Sequence, residues 1–117
     1  MIRKKNLILH SHNYYVLCDY PKECSCSDVN LHAKQAAPLT SWARANGVKL
    51  FAGEFYWPDG NAQCLQASRN ALQYLKDNKD VWLGWTYWAA GGLWPMEKKA
   101  INTVNDPQAK VLLEYFR

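Results

Sequence analysis

Apolar and polar positions along the chain alternate between two periods, and that alternation predicts strand and helix three times over. Asn6 to Tyr15 opens the series. Leu7, Ile8 and Leu9 lead into His10, His12 and Tyr14, which alternate and so share one face of a strand. Val16 to Asn30 has no period and is rich in Pro, Cys, Ser and Asp, which reads as a long loop. Leu31 to Asn46 reads as a helix with Leu39, Trp42 and Ala43 inward, Asn46-Gly47 as its stop and Pro38 as a kink or restart. At that spacing Trp42 reads as core.

Val48 to Trp57 is the second strand, with Leu50, Phe51 and Ala52 buried and Gly53-Glu54 at its end. Pro58-Asp59-Gly60 turns the chain. Asn61 to Asn78 is the clearest helix, capped by Asn61, with Cys64, Leu65, Ala67, Ala71, Leu72 and Leu75 on one face. Val81 to Ala90 is the third strand. Trp82, Gly84, Thr86 and Trp88 share one of its faces; Val81, Leu83, Trp85 and Tyr87 share the other. Both are apolar, as in a parallel strand covered on both sides. Asp106-Pro107 opens a last helix with Val111, Leu112 and Phe116 inward. Strand and helix in alternation imply an α/β fold of parallel βαβ units.

Glu54 breaks the pattern. A carboxylate closing an apolar strand, followed by Phe55, Tyr56 and Trp57, is costly to bury unpaired. It reaches solvent or pairs with a lysine, or else it binds or reacts. His12, Tyr14 and Trp88 fall with it at the C-terminal ends of their strands, where α/β folds place ligands and chemistry.

Composition narrows the rest. The 117 residues suit a single domain, and 49% apolar content is globular. Six Trp and seven Tyr serve either a core or flat stacking surfaces. The net charge of +4 is scattered, apart from Arg3-Lys4-Lys5 and Lys98-Lys99, which argues against nucleic acid as a partner. No apolar run is long enough to span a membrane, and Leu7 to Leu9 is too short for a signal peptide, so no targeting segment is read. Four cysteines, Cys18, Cys24, Cys26 and Cys64, favour disulfides in an oxidising compartment. Zinc is the competing reading, since His32 lies nearby, but the spacing lacks the usual ligand pairs. No metal and no cofactor are expected.

Three stretches, in order, resemble the C-terminal part of a glycoside hydrolase family five endoglucanase. They are His12-Asn13-Tyr14, Gly53-Glu54-Phe55 and Trp82-Leu83-Gly84-Trp85-Thr86-Tyr87-Trp88-Ala89-Ala90-Gly91. The resemblance implies that residues 1–117 form part of one catalytic domain, a partial (β/α)8 TIM barrel whose three βα units correspond to strands six to eight. It implies retaining hydrolysis of β-glucans, with Glu54 as nucleophile, Tyr14 holding it in line, His12 lining the sugar site and Trp88 as stacking platform. His10, on the same face as His12, is the matched histidine under a two-residue shift. Trp57 and Trp94 would extend the sugar surface from their loops. Cys26 and Cys64 fall where some family members carry a disulfide, which would leave Cys18 and Cys24 for each other.

Retaining chemistry needs two carboxyl groups about 5–5.5 Å apart. The family's acid/base Glu sits in an Asn-Glu-Pro motif that these residues lack; Glu23 and Glu97 lie in loops and Glu114 in the last helix. Such barrels take ~250 residues. The expectation is therefore a portion of a longer, secreted enzyme, lacking the N-terminal part of the barrel and with negligible activity alone. A carbohydrate-binding protein that stacks glucan on exposed aromatics is the alternative from another class. A small α/β domain whose aromatics are all core is the third.

Overall fold

The computed structural model describes residues 7–12, 26–57, 62–91, 101 and 103–116. Three strands and three helices alternate: β1 (Ile8–His12), α1 (Leu31–Asn46), β2 (Lys49–Glu54), α2 (Ala62–Asp77), β3 (Trp82–Trp85) and α3 (Pro107–Glu114). The strands form one parallel sheet in the order β1-β2-β3.

α1 buries His32, Ala36, Thr40 and Ala43, a stripe of mostly small side chains. Trp42 lies off that stripe and is 47% exposed, so it is not the core residue its spacing with Leu39 suggests. Helix α1 runs unbroken through Pro38 rather than restarting there. Lys34 and Pro38 are both exposed, so water can serve the carbonyl that Pro38 leaves without a donor. Gly47 ends the helix in the left-handed conformation, φ 64°. The N–H groups of Gly47 and Val48 then donate to the carbonyls of Arg44 and Ala43.

α2 turns Cys64, Ala67, Ser68, Ala71, Leu72 and Leu75 inward. Its expected cap, Asn61, lies outside the described residues. A disulfide joins Cys26, just before α1, to Cys64 in the first turn of α2, with 5.0 Å between Cα atoms. Thr40 ties the layers together from within. Its hydroxyl donates to Ala36 O at 2.9 Å and accepts from Tyr74 Oη of α2 at 2.9 Å and from Trp82 Nε1 of β3 at 3.0 Å. Those bonds satisfy three buried or half-buried polar groups at once.

β3 departs most from expectation. Trp82 pairs with Leu50 and Trp85 with Ala52, three residues against two, so the strand bulges at Leu83 and Gly84. The bulge turns both Trp82 and Trp85 toward the side where Leu50 and Ala52 meet the helices. Only this side of the sheet is covered by the described helices. Ile8 on the other side is 55% exposed, and Leu83 of β3 is 52% exposed, so β3 is not wrapped on both faces. Phe116, expected inward, is 66% exposed: it lies beyond the end of α3, its ring tilted against that of Trp85 at 5.2 Å between centroids.

Candidate functional site at the C-terminal end of the sheet

Glu54 is the last residue of β2 and is half-buried. The register that places it is irregular. Ser11 pairs with Ala52 and His12 pairs with Glu54, which leaves Gly53 as an extra residue in β2. This bulge swings Glu54 onto the level of His12 at the strand end. A regular ladder would have set Gly53 there instead.

Both neighbouring strands hold the bulge. Just past the end of β3, the backbone N–H of Thr86 donates to Ala52 O at 2.9 Å, and its hydroxyl donates to Gly53 O. From β1, the imidazole of His10 lies where a Gly53 side chain would be. A Cβ on Gly53 would fall inside contact distance of three ring atoms, so no other residue fits without moving His10. Phe51 repeats the arrangement one strand along: a Cβ on Gly84 would come within 2.9 Å of its ring. His10 and Phe51 meet at 5.7 Å between centroids. The alternation of β3 assigns Thr86 a face but no role. The glycine immediately before Glu54 was the available signal that something packs there.

Trp88 lies at the same end. Its N–H donates to Phe55 O at 3.0 Å, beside Glu54, and it stays half-exposed; the bond that follows it, to Ala89, is cis. Phe55, Tyr56 and Trp57 are core, each under a tenth exposed. Trp57 is fully buried. It stacks on Phe55 at 5.5 Å and meets Tyr87 edge-on at 4.8 Å, while Tyr87 Oη donates to its carbonyl at 3.1 Å. It therefore offers no surface to a sugar, contrary to expectation: the apolar cluster under the strand ends takes the whole indole. Tyr14, Trp94, Cys18 and Cys24 lie outside the described residues. His12 is placed here by its backbone register alone. An open apolar groove of about 560 Å³, lined by Trp85, Tyr87, Ile101, Leu112 and Phe116, lies against α3 and does not include Glu54.

The disulfide joins two of the sulfurs that a zinc site would need. His32, the third group of that reading, is buried in α1 with its ring edge against Tyr74 at 5.8 Å. Burial pushes its pKa down to about 4, which keeps the ring neutral.

A sequence profile of the cellulase family, glycosyl hydrolase family 5, matches residues 2–91. The chain belongs to that family. Endo-beta-1,4-glucanase A of Emericella nidulans is 34% identical over 88 residues, which are 75% of this chain and 27% of that protein. Among solved structures, an endo-beta-1,4-glucanase of Xanthomonas axonopodis pv. citri superposes with TM-score 0.82 at 34% identity, over 94% of this chain and 36% of that one. XacCel5A in complex with cellopentaose gives TM-score 0.81 at the same identity and coverage. This family 5 chain thus spans about a third or less of the length of the proteins it matches. No described helix is long and apolar enough to cross a membrane.

Proposed function

We propose that this chain supplies strands six to eight of a secreted, retaining β-1,4-glucanase, and that Glu54 is the nucleophile. The observation that carries the reading is the Gly53 bulge, which sets Glu54 level with His12 and beside Trp88 at one end of a parallel sheet. Catalytic groups of α/β barrels sit at that end. A relative that binds cellopentaose points to a β-1,4-linked glucan as substrate.

In this mechanism Glu54 attacks the anomeric carbon and forms a glycosyl ester as the glycosidic oxygen leaves; water then hydrolyses the ester. Tyr14 holds the carboxylate in line, His12 lines the sugar site, and Trp88 presents its indole to the apolar face of the ring. Trp94 extends that surface. The acid that protonates the leaving oxygen comes from chain outside these residues. Glu114 cannot serve, because it is on α3 and paired with Arg69 at 3.1 Å. The burial of Phe55, Tyr56, Trp57 and Trp82 argues against a module that only stacks sugars. The disulfide fits a secreted protein.

The test avoids the missing acid. An activated 2-deoxy-2-fluoro-β-cellobioside carries a leaving group that departs without protonation. The chain should gain one fluorocellobiosyl unit by intact mass, mapped to Glu54, while Glu54→Gln gains none and the unmodified chain releases negligible reducing sugar from β-glucan. A label on another residue, or equal labelling of Glu54→Gln, refutes the proposal. So does rapid glucan turnover by the isolated chain that survives Glu54→Gln.

A further inference from the structure

We infer that His10 is a positioning residue for Glu54, acting through Gly53; the inference rests on Glu54 being the nucleophile. His10 lies two residues back along β1 from His12, and its ring stands over Gly53, the residue before Glu54. Two rings on the open face lean in one direction, each onto a glycine of the next strand: His10 of β1 onto Gly53, and Phe51 of β2 onto Gly84 of β3. Phe51 also braces His10, its ring tilted 41° to the imidazole.

Gly53 is the residue that needs such a brace. It is the extra residue of the β1–β2 register, and glycine has wider backbone freedom than any other residue type. Thr86, just past β3, holds its carbonyl, and His10 closes the face where a side chain would otherwise stand. With both in place the Gly53–Glu54 backbone has one arrangement, and the carboxylate one line of approach. A nucleophile set off its line by an ångström loses much of its rate even when substrate still binds. The signature of His10 is therefore a rate effect without an affinity effect.

The experiment is a cycle of His10→Ala, Gly53→Ala and the double variant, with His10→Gln as the conservative change. Each is read by labelling with the activated 2-deoxy-2-fluoro-β-cellobioside and by thermal midpoint. His10→Ala should slow the maximal labelling rate about tenfold with the probe's apparent affinity unchanged, and His10→Gln should recover part of it. Gly53→Ala should slow labelling comparably by expelling the ring, and the double variant should be no slower than the worse single. Gly53→Ala should lower the midpoint by about 5 °C with His10 present, and by clearly less without it. Wild-type labelling after His10→Ala overturns the inference, as does an effect of Gly53→Ala that is the same in both backgrounds. If the unmodified chain takes no label, the nucleophile assignment falls, and the midpoint cycle alone decides whether His10 braces Gly53.

Discussion

The two ends of the sheet are built differently. At the end where the strands start, connections are short. Residues 47 and 48 carry α1 into β2, and residues 78–81 carry α2 into β3. Exposed polar groups fasten this end. Arg44 donates to Asp80 at 2.7 and 3.0 Å and to Asn78 at 2.9 Å, and Lys49 donates to Asp80 O. At the other end the connections are long, the β1–β2 ladder bulges at Gly53, and a disulfide ties the approach to α1 to the start of α2. Stability needs only closure, which short capped turns supply. A site needs particular side chains at particular heights, and irregular backbone provides them.

Cutting the covalent tie should have the largest effect on stability. Cys64→Ser opens a link spanning 38 residues. It should cost about 3–4 kcal/mol by denaturant titration, with the unmodified chain in reductant behaving alike. Helix-side packing at the site end comes next, through pH. Folding holds His32 neutral down to about pH 4, whereas in the unfolded chain the ring takes a proton near 6.5. The unfolded state therefore binds more protons between those values. Stability is full above the upper one, falls as pH drops toward the lower, and falls no further below it from this cause. The span is about 3 kcal/mol. Denaturation midpoints measured across the window should show the slope, and His32→Leu should flatten it. The smallest effect belongs to the opposite end. Arg44 and Asp80 are both about half exposed. Arg44→Ala should shift the midpoint only slightly, and the shift should vanish in high salt. A loss there as large as that of Cys64→Ser would mean that the two ends do not differ as described.

What could be read from the residues follows from how far each property depends on partners. The limits of α1 and the inward face of α2 follow from local period and from Gly47, and both were legible. The place of Glu54 at a strand end was legible too, since a polar residue closing an apolar run has few other settings. Height was not. Whether Gly53 or Glu54 stands opposite His12 depends on a register shift that only the paired strand reveals. The same cause hid the bulge in β3, where strict alternation put Trp82 and Trp85 on opposite faces. Trp42 and Trp57 depart from expectation for a related reason. A tryptophan at helical spacing looks internal and one in a loop looks external, yet the small-residue stripe of α1 leaves the first outside. The cluster of Phe55 and Tyr87 draws the second in.

The bridge between Cys26 and Cys64 bears on how the molecule is prepared. Recombinant chain made in a reducing cytoplasm, or stored with a thiol, would keep its helices while the segment ahead of α1 comes loose from α2. Oxidative refolding or periplasmic export, checked by free-thiol titration, is the route to material in which that segment is held.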